Sequence, residues 1–224
     1  MATSLQLYYQ SDFLTTLAYL MGEKTVNSST SAPRADFIQS AIHDAYGAYP
    51  WIFARAKTTI TLASNLATLP DDYDARHLSW AFAPDTAVST DDGERLDPVS
   101  DVDNHDLVNG DRAMWVEPVP NGDGTRYVLR TKDSDLSSLY FRYQKVEPNL
   151  STASTGTPYP NKRTIALGAR TYVKLGQNPD ADISQELKTF EKEIAKDIAQ
   201  YQVQETRKRR RTAQGQTGRS TGDW

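Results

Sequence analysis

A chain of 224 residues with 38% hydrophobic and 10% aromatic side chains can build one domain with an insertion or two small ones, which excludes wholesale disorder. With no cysteine, disulfides and thiolate metal sites are excluded; no apolar run approaches the roughly 18 residues of a transmembrane helix, and Met1–Ser4 lack the basic and apolar regions of a signal peptide. The formal charge of −4 conceals a split: residues 206–224 hold six basic side chains and one acid, leaving 19 basic against 28 acidic groups elsewhere.

The chain opens with a helical pattern from about Leu5 to Met21, where Leu5, Tyr8, Tyr9, Phe13, Leu17, Leu20 and Met21 fall on one broad face. Gly22 and the polar run Asn27–Ser31 end it. A second helix is expected from about Pro33 to Tyr49, with proline in its first turn and a stripe of Phe37, Ile38, Ala41, Ile42, Ala45 and Tyr49. His43 lies off that stripe and reads as a surface or hydrogen-bonded histidine.

After Pro50 the period changes. Lys57–Leu62 alternates and is rich in β-branched residues, Ser64–Asn65 makes a turn, and Leu66–Leu69 is a short return. His77–Phe82 alternates again. Asp85–Gly110 is an acidic loop without a period of its own. A meander is expected next, with strands at Ala113–Glu117 and Arg126–Arg130 around the Asn121–Gly124 turn, then a third strand at Leu139–Val146. Trp51, Trp80 and Trp115 read as core or sheet-packing residues. Strands such as Thr58–Leu62 or Leu139–Val146, if exposed at an edge, are suited to pairing across subunits.

Residues 149–160 read as a linker, and a third helix as running from Asn161 to Leu175. The last helix is the most regular: Ile183, Leu187, Phe190, Ile194, Ile198 and Tyr201 recur at spacings of four, three, four, four and three. Its periodicity gives way to Arg207-Lys208-Arg209-Arg210-Arg211 and a polar stretch ending in Trp224, read as an extended basic arm. The expected fold is thus α+β but mainly helical, a bundle of about four helices interrupted by a β-rich insertion. Its parts are N-terminal helices (1–50), the insertion with its acidic loop (51–148), C-terminal helices (149–205) and the arm (206–224).

No catalytic, cofactor or metal site is read from the sequence. The three histidines stand apart, and Asp101–Asp106 fails the calcium-loop test because Asp106 stands where glycine must turn the chain and Arg112 where a bidentate glutamate belongs. There is no phosphate-binding glycine loop, dinucleotide fingerprint or nucleophile elbow. The basic run suits phosphate contacts with nucleic acid, yet no aromatic is interleaved between Arg207 and Arg219 for base stacking. Docking on an acidic protein surface is the rival reading, and a hydrolase with unidentified carboxylates a third.

Three stretches carry a resemblance: Tyr49-Pro50-Trp51-Ile52-Phe53 leading through Thr58–Leu62 to Leu69-Pro70-Asp71-Asp72-Tyr73; Tyr140–Lys145 with its proline-rich linker and Thr164–Ala169; and the terminal amphipathic helix with its tail. In these the chain resembles the head-tail connector (adaptor) proteins of tailed bacteriophages. That resemblance implies a non-enzymatic virion protein assembled in the host cytoplasm, forming a ring, usually twelvefold, beneath the portal protein. The ring would extend the DNA channel without sequence-specific binding, and would offer tail-side neck proteins a docking surface. It also implies a portal-binding role for Arg207, Lys208, Arg209, Arg210, Arg211 and Trp224. Acids lining such a channel would keep DNA from sticking.

Overall fold

The amphipathic stripes fold into helices and the alternating stretches into strands, in an arrangement that differs from the expected one. The computed structural model of the chain describes residues 6–83, 94–99, 107–108, 110–122, 124–150 and 155–217. The chain divides into two units, residues 1–49 with 147–224 and residues 50–146.

The first unit holds β1 (Tyr8–Tyr9), α1 (Gln10–Leu20), α2 (Ser28–Gly47), β9 (Gly156–Thr157), α3 (Lys162–Gln177) and α4 (Ser184–Thr217). α3 packs against the other three helices. Phe13, Leu17, Ile38, Ile42, Tyr159 and Ile165 are fully buried in this unit. α2 starts five residues earlier than the proline suggests, so Pro33 sits inside the helix. Arg34 anchors that end, donating to both carboxylate oxygens of Glu23 at 2.7 and 2.6 Å. Two glycines of α3 admit aromatic rings: a Cβ on Gly168 would lie 2.6 Å from Phe190 of α4, and one on Gly176 would lie 2.7 Å from Phe37 of α2. The stretch read as a linker contributes β9, which pairs antiparallel with β1, and the buried Tyr159.

The second unit contains β2 (Arg55–Thr61), β3 (Leu66–Thr68), β4 (Trp80–Phe82), β5 (Asp97–Pro98), β6 (Ala113–Asn121), β7 (Gly124–Thr131) and β8 (Ser138–Gln144), with a single 3-10 turn at Ile52–Ala54. One sheet has the order β2-β8-β4 and the other β3-β7-β6-β5. Their core is shared, with Ile60, Leu139 and Phe141 from the first and Ala67, Met114 and Leu129 from the second. Ser64 and Asn65 both take positive φ, 51° and 64°, giving the backbone twist that a two-residue hairpin turn demands.

The expectation of a mainly helical fold is overturned. Among the described residues four α-helices stand beside nine strands in three sheets. The insertion buries a hydrophobic core of its own, so its strands are longer than periodicity showed, and β1, β5 and β9 arise where no period exists. The three-stranded meander is corrected too: β6 and β7 pair, but β8 crosses to the other sheet, where β2 and β4 flank it. Central placement of β8 removes it as an edge for pairing between subunits, while β2 remains at an edge. Most of the Asp85–Gly110 loop lies outside the described residues, but its Leu96 is fully buried in the core and its Asp97–Pro98 pairs parallel with β6.

The extended arm is corrected in the same way. α4 continues through Arg207–Arg211 to Thr217. Arginine, lysine, glutamine and alanine are all good helix formers, and no glycine or proline falls between Ser184 and Ala213 to stop propagation. Trp224 lies outside the described residues.

Candidate functional site

Two surfaces concentrate positive charge, one in each unit. The first is carried by α4. Asp182 caps its start, accepting from the Ser184 backbone N–H at 2.9 Å, and that bond holds the Asp182 carboxyl below its ordinary range. Lys174 of α3 donates to Glu186 at 2.6 Å, and this hydrogen bond lowers the Glu186 carboxyl. The expected stripe faces inward: Phe190, Ile194 and Tyr201 are buried and Ile183, Leu187 and Ile198 half-buried.

Sequence reasoning missed one member of that stripe. Asp197 occupies the position between Ile194 and Tyr201 and is only 4% exposed. Its carboxylate accepts from the Tyr159 hydroxyl at 3.3 Å and from the Asn161 side-chain amide at 3.1 Å. Burial pushes the Tyr159 phenol well above its ordinary value, and the adjacent Asp197 charge pushes it further. Close by, the Tyr46 hydroxyl meets the Thr157 side chain at 2.8 Å, and burial pushes its phenol up to about 12. These bonds fasten α4 and β9 to the helical unit before the basic run begins. Of the residues expected to bind a portal, Arg207–Arg211 are thus placed on the last turns of α4.

The second surface is on the outer face of β2-β8-β4. Lys57 stands directly opposite Arg142, which stands opposite Trp80, while Arg55 stands opposite Gln144. Arg55, Lys57 and Arg142 are exposed. The Arg95 guanidinium lies 3.6 Å over the Trp80 ring and that of Arg142 4.8 Å over Phe82. A groove of about 630 Å³ runs along this face, lined by Arg55, Lys57, Arg76, His77, Arg142 and Trp80 among others, and by no carboxylate. Behind it the buried Asp74 accepts from Arg76 through Nε at 2.8 Å, through Nη2 at 2.7 Å and through the backbone N–H at 3.0 Å. Burial alone would raise the Asp74 carboxyl; the bonds from Arg76 outweigh it, and the net displacement is downward.

Neither surface assembles a set of groups for covalent chemistry. Among the described residues no group of three or more His, Asp or Glu is placed to hold a metal ion, and no helix is long and apolar enough to cross a membrane. His43 meets Glu147 at 2.7 Å and His77 lies 3.9 Å from Asp74, each histidine beside a single carboxylate.

Comparison with known proteins gives the class that these surfaces serve. The family model of the SU10 adaptor protein matches residues 10–218, nearly the whole chain, including the acidic loop and the basic run and stopping short of Arg219. No curated protein matches the chain. The chain belongs to the SU10 adaptor protein family, and the resemblance to phage head-tail adaptors holds.

Proposed function

We propose that the protein is a structural adaptor of a phage neck that forms a ring, joins the portal to the tail and extends the DNA channel. The family match over residues 10–218 carries this reading, since adaptors of this kind work by contact with other neck or tail components and not by catalysis. In it the end of α4 reaches the portal. Five successive basic positions, Arg207–Arg211, advance by about 100° each and so sweep the whole circumference of the helix. Such a helix presents positive charge to an acidic socket that surrounds it, and arginine's planar fork suits carboxylates lining that socket.

The test is deletion of residues 206–224. The deletion begins after Tyr201, the last buried residue of the stripe, so the truncated chain should keep its far-ultraviolet circular dichroism and unfolding midpoint. It should no longer co-sediment with purified portal rings. Docking at full strength by the truncated chain would remove the portal role from this end of the helix. Labelling of the full chain in electron micrographs of virion necks tests the location independently.

A further inference from the structure

The β2-β8-β4 face contradicts the charge of the unit that bears it. Residues 50–146 hold 16 acidic and 10 basic side chains, yet Lys57 and Arg142 sit directly across adjacent strands, with Arg55 two residues along the same face. Like charges directly opposite on a sheet oppose folding, so this pairing is not explained by stability. The groove along them is lined by no carboxylate. A second observation concerns the backbone. β2 forms one edge of its sheet. The bonds from Lys145 N–H to the Ala54 carbonyl and from Leu62 N–H to the Ser137 carbonyl set the phase of the ladder. Even-numbered residues of β2 therefore bond to β8, whereas Lys57, Thr59 and Thr61 turn their backbone groups away from it.

We propose that β2 and its cationic face receive an extended acidic segment from a second copy of this chain. An added strand along β2 would place its alternate side chains on the same face as Arg55 and Lys57, where carboxylates would meet guanidinium and ammonium groups. Nucleic acid would use the charges but has no means of using the strand edge, so a polypeptide fits both observations. The chain itself supplies the complementary charge: it is acidic overall, and its cationic groove is an exception within an acidic unit. A groove on one copy and acids elsewhere on the next make a head-to-tail contact, the kind that closes into rings. The proposal rests on the ring reading and assigns it an interface.

The experiment is sedimentation velocity on the full chain, comparing wild type with Lys57→Glu/Arg142→Glu and with Thr59→Pro. Wild type should assemble at low ionic strength and dissociate progressively as salt is raised. Charge reversal should weaken self-association by at least about a hundredfold. Thr59→Pro removes an N–H that faces away from β8, a substitution that edge strands tolerate, and should also block assembly. Thermal unfolding of each variant separates loss of contact from loss of fold, and Thr59→Pro retains the groove's charges. Rings that form undiminished from both variants overturn this interface and leave the adaptor ring standing. A wild-type chain that stays monomeric at every concentration and salt overturns the ring reading and the interface with it.

Discussion

Replacing Gly168 with alanine tests whether α4 is seated on α3 as described. On an isolated helix the change would stabilise by about 0.8–1.0 kcal/mol, the propensity difference between the two residues. Here the new methyl would lie 2.6, 2.7 and 2.8 Å from three carbons of the Phe190 ring, well inside contact distance. Phe190 is 3% exposed, and its ring has no solvent to move into. Overpacking of a buried site costs about 1–3 kcal/mol, so the propensity gain is cancelled or outweighed and the net effect should be a loss of about 0–2 kcal/mol. The decisive measurement is a cycle with Phe190→Leu, by urea unfolding followed at 222 nm. In the leucine background the methyl has room, and Gly168→Ala should become neutral or stabilising by up to about 1 kcal/mol, a coupling within the 0.5–3 kcal/mol known for residues in contact. If Gly168→Ala alone stabilises the protein by the full propensity difference, and the cycle shows no coupling, α4 does not rest on α3 at this point.

Acid should weaken the β-rich unit through Asp74. Its folded-state pKa lies below its unfolded value, so the stability it contributes is complete above the unfolded carboxylate range and is lost as pH falls through the folded pKa. Unfolding midpoints measured from pH 7 down to about 3 should therefore fall less steeply for Asp74→Asn than for wild type, after a loss of about 1.5–3 kcal/mol at neutral pH from its charged hydrogen bonds. In the helical unit, Asp197→Ala leaves the buried Tyr159 hydroxyl without its acceptor and should cost about 1–3 kcal/mol in chemical denaturation. On the cationic sheet face, Lys57→Glu alone turns a like-charged cross-strand pair into an opposite one. It should raise the stability of the dissociated chain by about 0.2–1 kcal/mol while impairing assembly; a loss of stability would contradict the register.

The helices were legible because a period of 3.6 sustained over many residues is a strong signal, and the stripe from Ile183 to Tyr201 is buried or half-buried as that signal requires. The Ser64–Asn65 and Asn121–Gly124 turns were legible for a local reason, the backbone dihedrals their residues favour. Strand pairing was not. β8 follows β7 closely and reads as its neighbour, yet the inward set Leu139, Phe141 and Tyr143 joins Ile60 and Ala81 of strands far away in the sequence. Two-residue strands such as β1 and β9 are too short to show any period. Asp197 was hidden because a carboxylate in an apolar stripe looks like an interruption until Tyr159 and Asn161, more than thirty residues earlier, are placed beside it. Lys57 and Arg142 become one site only through the β2–β8 register. The arm was misread because polar and basic composition suggested extension, whereas its residues individually favour helix.

That register also governs how the chain is threaded. The strand that enters the insertion and the strand that leaves it are antiparallel neighbours, with Arg55 opposite Gln144 and the Lys145 N–H bonded to the Ala54 carbonyl. In the helical unit α2 holds the returning chain at once, through His43 with Glu147 and through Gln39 with the Pro148 carbonyl and the Leu150 N–H. Closing the 97 residues from 50 to 146 as a flexible loop would cost about 3 kcal/mol more than closing a four-residue turn, by the logarithmic rule for chain closure. An insertion whose own sheet brings its ends together removes most of that penalty. To the helices it behaves as a tight turn, so its length and decoration can change between relatives without disturbing the unit that carries α4.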